Sequence, residues 1–168
     1  NARAQKLLRQ TVEREPKTIF AKADIMLSHF EAKIYRSHKL NGKAKAMVVT
    51  KDIECAILYY KALKQLIKEK EMPFKILIAF SGEKRLLGVK NIYSDTKETD
   101  YDFGNVAESI PLWGPTFTEA GLNGFPDTKT AENFDSDDYR ILVVANKYLT
   151  GFDQPKLCAM YIDKPLAG

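Results

Sequence analysis

The sequence lacks several features that would place the protein in a specialised class. It has only two cysteines among 168 residues, too few for a disulfide framework. Cys55 and Cys158 both lie in apolar stretches, so we predict two buried free thiols. No apolar run approaches the roughly 20 residues that a membrane-spanning helix needs, and the first residues lack the apolar core of a signal peptide. We therefore expect a cytoplasmic protein with no membrane contact.

Motifs for phosphate or metal chemistry are missing too. The chain contains no GxxxxGK[ST] loop, no GxGxxG after a strand and no GxSxG turn. His29 and His38 fit no zinc spacing and are better interpreted as surface or helix-end residues. The acidic stretch Asp95–Asp102 could bind a divalent cation, but a solvated loop is the better interpretation. The sequence thus predicts no catalytic residue and no metal site.

Composition otherwise fits one ordinary globular domain. Apolar residues make up 45% of the chain, which is enough for a normal core. The formal net charge of +4 permits contact with nucleic acid without arguing strongly for it. The basic residues are spread along the chain, so most of them are expected on solvated surfaces.

Short apolar runs alternate with helical patterns in the rest of the chain. The segment Lys45–Thr50 predicts a strand, a helix follows with Asp52 at its N-terminus, and Phe74–Phe80 predicts the next strand. The most informative stretch is YRILVVANKYLTGFD, Tyr139–Asp153, because Ile141–Ala145 is apolar at every position, as in a strand buried on both faces. Strand, helix and strand in succession favour parallel pairing. We predict an α/β fold with a parallel sheet flanked by helices.

The chain divides into three parts on this interpretation. Residues 1–40 form a helical lead-in, and residues 41–168 form the sheet-containing domain. Within that domain, residues 82–126 are predicted to be an insertion, since a segment this long without regular patterning is unusual in a compact domain.

The loop after Ala145 is the first place to look for chemistry, because ligands of open α/β sheets bind outside the carboxyl ends of the strands. Taken alone, its Gly-Phe-Asp sequence would be a tight turn in which Asp153 caps the next element.

Three segments together carry a more specific signal. KAMVVTKDIECAILYYKAL, ILIAFSG and YRILVVANKYLTGFDQPKLCAMYIDKPL, in this order, resemble the C-terminal RecA-like motor domain of superfamily 2 helicases and translocases. Within that group they are most similar to the restriction (R) subunit of type I restriction-modification enzymes. FTEAGLNGF, Phe117–Phe125, is also similar to an element of that family. The resemblance covers about Lys17 to Gly168 and leaves Arg85–Gly114 without a counterpart.

The resemblance implies roles for particular residues. Val48–Lys51 would be motif IV, Ser81 would end the next strand on the same edge, and Gly151 with Asp153 would belong to motif V. The implied ATP contacts are Gly151 and Asp153, and the implied nucleic-acid contacts are Thr50, Lys51, Ser81 and Thr150. One departure is Ala145, where many family members carry a phosphate-binding threonine, so that contact must come from Thr150 or from main-chain amides.

The implied parent protein is an ATP- and Mg²⁺-dependent enzyme that translocates double-stranded DNA and cleaves it with a separate nuclease domain. Its partners would be methyltransferase and specificity subunits, with a further RecA-like domain and the nuclease domain upstream in the same chain. The sequence stops before the position of motif VI, so we expect a fragment that is inactive alone and binds no cofactor tightly. The alternatives are another superfamily 2 motor or a non-enzymatic nucleic-acid-binding module of the same fold.

Overall fold

The computed structural model describes residues 1–5, 16–86, 116–149 and 152–165. Four strands form one parallel sheet in the order β2-β5-β1-β6, and two short strands, β3 and β4, form a separate antiparallel pair. The strands are β1 (Lys45–Thr50), β2 (Lys75–Ala79), β3 (Glu83–Arg85), β4 (Thr116–Thr118), β5 (Tyr139–Val144) and β6 (Leu157–Asp163). The predicted α/β fold with a parallel sheet flanked by helices is confirmed.

Helices cover both faces of this sheet. They are α1 (Pro16–Phe30), which continues into a π-helical turn at Glu31–Tyr35, α2 (Ile53–Glu69), α3 (Glu119–Asn123) and α4 (Thr130–Phe134), which follows a 3₁₀ turn at Asp127–Lys129. The chain reverses between α1 and β1 through left-handed backbone at Leu40 and Asn41, with φ of 51° and 55°. No helix in the described residues combines the length and apolarity needed to cross a bilayer.

Helix α2 begins where the sequence predicts. The Asp52 carboxylate accepts a hydrogen bond from the Cys55 N–H at 2.9 Å and so caps the helix. Glu54 in the first turn and Lys68 in the last turn match the helix dipole. The helix lies between the sheet and α1, whose stripe Ile19, Ala23, Leu27 and Phe30 is fully buried. The apolar stripe of α1 therefore lies on the face of that helix that is covered.

The sheet separates two apolar clusters according to strand parity. Ala46 and Val48 of β1 face the larger cluster under α1 and α2, whereas Met47 and Val49 face the smaller one around Phe134. Strand β5 alternates in the same way, so residues Ile141–Ala145 are all buried. The prediction of a strand covered on both faces is confirmed, because β5 has strands on both sides and helices above and below.

Edge strand β6 is covered differently. Ala159 and Tyr161 pack against the larger cluster, but Cys158, Met160 and Ile162 on the other face are exposed. The prediction of two buried thiols holds for Cys55 and is wrong for Cys158. Apolar neighbours in sequence do not reveal whether both faces of a strand are covered.

A buried lysine connects two strands at the end of the sheet where β1 and β5 begin. Lys45 at the start of β1 has no exposed surface, and its Nζ donates to the carbonyls of Ser136 at 2.6 Å and Tyr139 at 2.5 Å. Its ammonium also lies 5.0 Å from the centre of the Phe134 ring. This side chain therefore links β1 to the turn that precedes β5.

The predicted insertion, residues 82–126, is described only near its two ends. Strands β3 and β4 pair there, with Glu83 opposite Thr118. Residues 87–115, which include the acidic stretch Asp95–Asp102, lie outside the described residues. The division of the chain at residue 41 and the insertion stay predictions.

Candidate functional site at the carboxyl edge of the sheet

The carboxyl ends of the four parallel strands meet at one edge. Val49 of β1 and Ala79 of β2 both pair with Val144 of β5, and Thr50 pairs with Asp163 at the end of β6. Because the strands are parallel and end in register, the residues that follow them lie along the same edge. This edge carries most of the residues that the sequence selects: Thr50, Lys51, Ser81 and the loop that leads to Asp153.

Thr50 directs its hydroxyl into the sheet. Its side chain is 1% exposed, and Oγ1 donates to the Val144 carbonyl at 2.9 Å, with the Asp52 carbonyl at 3.1 Å. The hydroxyl proton is therefore used inside the protein and holds β1 to β5. The predicted contact of Thr50 with nucleic acid stays a prediction.

The other predicted site residues differ in exposure. Ser81 and Asp153 are exposed, and Lys51 is partly exposed. Gly82, directly after Ser81, has φ of 82°, a conformation that suits glycine and turns the chain from β2 into β3. Thr150 and Gly151 lie outside the described residues, and their predicted roles stay predictions. Ala145 is buried and belongs to the larger apolar cluster.

The loop after β5 has an unusual backbone. Asn146 has φ of 54° and Tyr148 has φ of 60°, both left-handed. Asparagine tolerates this conformation, whereas for tyrosine it costs roughly 1–2 kcal/mol, so the surroundings must hold the loop in place. The Tyr148 ring stacks on Phe152 with 4.6 Å between ring centres, and Phe152 lies 6.5 Å from Phe134 of the smaller cluster. The loop is thus anchored to the core on both sides of residues 150 and 151.

A buried carboxylate ties this loop to the end of β2. Glu119 is 2% exposed, and its Oε1 accepts from the Phe80 N–H at 2.8 Å and from Lys147 Nζ at 2.9 Å. Its Oε2 accepts from the Thr130 hydroxyl at 2.5 Å. We call these four residues the Glu119 network. It connects β2, α3, α4 and the loop after β5 at a single point.

Sequence analysis did not identify Glu119 or Lys147. Although burial acts to lower it, the hydrogen bond and charge of Glu119 raise the pKa of Lys147 above its ordinary value. Lys147 therefore stays charged. Its ion pair with Glu119 holds the loop at the position between the left-handed residues Asn146 and Tyr148. The available signal was a lone glutamate beside an N-capping threonine, Thr118, within FTEAGLNGF.

A second polar cluster secures the edge at β6. Asp163 accepts from the Tyr59 hydroxyl at 2.5 Å and from Lys22 at 3.3 Å, which connects the strand to α2 and α1. Burial first, and then the hydrogen bond to Asp163, raise the pKa of Tyr59. This phenol therefore stays protonated and serves as a fixed donor.

The exposed groups at this edge are suited to hydrogen bonding. Within residues 1–5, 16–86, 116–149 and 152–165, no group of three or more His, Cys, Asp or Glu side chains could hold a metal ion. The exposed groups are instead a carboxylate, Asp153, which accepts hydrogen bonds, and donors such as Ser81. Such groups suit sugar hydroxyls and phosphate oxygens.

A family match and a curated relative of this chain agree with each other. Residues 42–168 match the family described as type I restriction enzyme subunit R domain 3. A protein of Methanocaldococcus jannaschii, named as a type I restriction enzyme endonuclease subunit, MjaVIIP, is 31% identical over 131 residues. That alignment covers 76% of this chain and 11% of the relative's length.

Proposed function

Because the chain belongs to the family of type I restriction enzyme subunit R domain 3, we propose that it is the second motor domain of an ATP-driven DNA translocase. The observation that carries the proposal is the convergence of Thr50, Lys51, Ser81 and the anchored loop before Asp153 on one edge of a parallel sheet. Ligands of open α/β sheets bind at that edge. The family membership supports ATP and DNA as the proposed ligands.

In this proposal the chain binds and orients rather than performing the chemical step. ATP, when bound, supplies the terminal phosphoryl group whose transfer to water releases free energy. The Asp153 carboxylate would accept hydrogen bonds from ribose hydroxyls, and Gly151 is proposed as the second residue that contacts ATP. The Glu119 network would hold the preceding loop in one conformation while this occurs. The described residues do not fit a Mg²⁺ site, so we assign no metal step to them.

Double-stranded DNA would be contacted from the same edge. Lys51, Ser81 and Thr150 can all donate to phosphate oxygens, which position a protein on a duplex without reading its sequence. The chain spans 11% of the length of its M. jannaschii relative, whose name describes an endonuclease subunit. We propose that the whole protein likewise cleaves DNA, in the cytoplasm, with methyltransferase and specificity subunits as partners. A nuclease domain and a further RecA-like domain would lie upstream in the same chain.

We expect the 168-residue chain to hydrolyse no ATP, with or without duplex DNA. Its sequence holds no phosphate-cradling P-loop, and hydrolysis requires lysine, Mg²⁺ and arginine groups acting together. A coupled phosphate-release assay measures this directly. DNA-stimulated release that persists through purification and is abolished by Asp153→Ala would contradict the proposed division of labour.

We also expect weak DNA binding that is independent of sequence and sensitive to salt. If about three phosphates are contacted, raising the salt from about 50 to 200 mM should reduce affinity roughly 40-fold. Lys51→Ala should reduce the salt slope by about 1. Fluorescence anisotropy with two labelled duplexes of unrelated sequence measures both effects.

The matched control for this titration is Lys39→Ala. Lys39 is an exposed lysine in the turn before β1, at the opposite end of the strand from the partly exposed Lys51. Its replacement should leave the salt slope unchanged. Binding that survives 200 mM salt, or that prefers one duplex, would instead favour a dedicated DNA-binding module.

A further inference from the structure

The outer side of β2 forms one edge of the four-stranded sheet. Side chains near α3 occupy part of this edge. The Asn123 amide donates to the Ile78 carbonyl at 2.8 Å and accepts from the Ile78 N–H at 3.0 Å, in the manner of a neighbouring strand. Glu119 accepts from the next outward N–H, that of Phe80. The outward backbone groups at the carboxyl-terminal half of β2 are therefore hydrogen-bonded by side chains of the same protein.

Among the described residues, nothing pairs with the amino-terminal half of the same edge. The Lys75 N–H donates to the backbone carbonyl of Asp138, and the Ala79 carbonyl accepts from the Ala145 N–H. The backbone groups of these odd-numbered residues of β2 therefore face β5. Ile76, of the other parity, directs its N–H and carbonyl outward, one step before Ile78. Across the described part of the chain, no side chain or loop is hydrogen-bonded to these two groups. The Ile76 N–H and carbonyl are thus available for pairing with another strand, as far as the described residues go.

Ile76 lines a groove of about 400 Å³, which we call the β2 groove. Its floor is apolar and is formed by Ile67, Met72, Phe74 and Leu122. Its rim is basic, since Lys64, Lys68 and Lys75 lie on it together with a single carboxylate, Glu71. The groove therefore combines a strand edge, an apolar floor and an excess of positive charge.

We propose that the β2 groove docks an extended, acidic peptide segment of a partner protein. An extended backbone suits this site because a strand can bond to both the N–H and the carbonyl of Ile76 and continue along the edge. Acidic side chains of the peptide complement the charges of Lys68 and Lys75, which are both exposed, and an apolar side chain fits the floor. The proposal goes beyond the proposed motor function. Lys75 and Tyr139 begin their strands beside this groove, so docking leaves the carboxyl edge free.

The test uses the 168-residue chain and a seven-residue peptide that alternates acidic residues with valine. Two control peptides carry lysine in place of the acids, or proline in place of the central valine. The acidic peptide is expected to shift the amide resonances of Ile76 and its neighbours in a ¹⁵N-labelled titration. The lysine peptide should bind at least tenfold more weakly, because like charges then face each other. The proline peptide should also lose binding, since it cannot pair with a strand edge.

Charge reversal supplies the matched variants. Lys68→Glu with Lys75→Glu should weaken the acidic peptide about tenfold or more and make the lysine peptide the better ligand. Lys39→Glu with Lys43→Glu changes the net charge equally at exposed lysines outside the groove and should leave the titration unchanged. An absent shift at Ile76, equal binding of the proline peptide, or equal loss in both double variants would overturn the proposal. So would duplex DNA that shifts the same amides and displaces the peptide, because the groove would then contact nucleic acid.

Discussion

Replacing Glu119 with alanine is expected to lower the free energy of unfolding by about 4 kcal/mol. The substitution removes the acceptor of the Phe80 N–H and the Thr130 hydroxyl, both buried, and each orphaned donor costs about 1–3 kcal/mol. It also leaves the Lys147 ammonium, with 23% of its side chain exposed, without its carboxylate. Because this ammonium stays partly hydrated, the loss of its carboxylate adds much less than the about 3–5 kcal/mol that breaking a fully buried ion pair costs. Urea denaturation followed by circular dichroism measures the change.

Two further variants make this result specific to the Glu119 network. Glu119→Gln keeps an oxygen acceptor of the same shape, so the expected loss is smaller, about 1–2 kcal/mol. Glu132→Ala removes a carboxylate that is 71% exposed and paired with Lys129, and it should change stability by less than about 0.5 kcal/mol. Equal losses for Glu119→Ala and Glu132→Ala would show that the network does not support the fold.

Lys45→Ala should also be strongly destabilising, by about 3 kcal/mol at pH 7. The side chain is fully buried, so its removal leaves a cavity as well as two carbonyls, of Ser136 and Tyr139, without their donor. The loss should be measured by urea denaturation against Lys43→Ala. Lys43 is an exposed lysine two positions earlier, and its replacement should fall within about 0.5 kcal/mol of the parent protein.

The same pair of proteins has a defined pH dependence. Burial, and then the charges of Arg140 and Lys156, lower the pKa of Lys45 to about 8, below its ordinary value of 10.5. Between these values the unfolded chain binds more protons than the folded one, so this lysine adds stability as the pH rises. The gap between the parent protein and Lys45→Ala should widen by about 2 kcal/mol from pH 7 to 9.5.

Comparing the two proteins at each pH removes the contribution of other groups. Burial raises the pKa of Tyr161 to about 12, and Tyr59 is raised as well, so both oppose stability in strong alkali. They are present in both proteins and cancel. A gap that stays constant across this range would mean that Lys45 keeps an ordinary pKa in the folded chain.

The sequence was most informative where structure depends on local pattern. The burial of β5 on both faces follows from a continuous apolar run, and the Asp52 cap follows from a capping residue placed directly before a helical pattern. Neighbours in the chain display both signals. The resemblance then placed Lys51 and Ser81 at strand ends, and the structure brings both to one edge.

What could not be predicted depends on contacts between distant parts of the chain. The pair Glu119–Lys147 joins α3 to a loop after another helix and strand, and no local pattern marks its members as partners. Lys45 looks like a solvated residue at a strand start, yet carbonyls of a distant turn surround its ammonium. The sheet edge raises the same difficulty. Cys158 is exposed because coverage of β6 depends on elements that its own segment does not encode.

The position of β1 in the middle of the sheet also bears on how the protein is made. Its two neighbours, β5 and β6, both come from the last part of the sequence. Ala46 of β1 pairs with Ile141 of β5, roughly 95 residues later in the chain. A ribosome that adds about 5–20 residues per second needs about 5–20 s to synthesise this interval. During that time the nascent chain carries an apolar strand with both hydrogen-bonding edges unpaired, the state most exposed to aggregation. Chaperone protection during synthesis is therefore most valuable in the interval that ends when β5 leaves the ribosome.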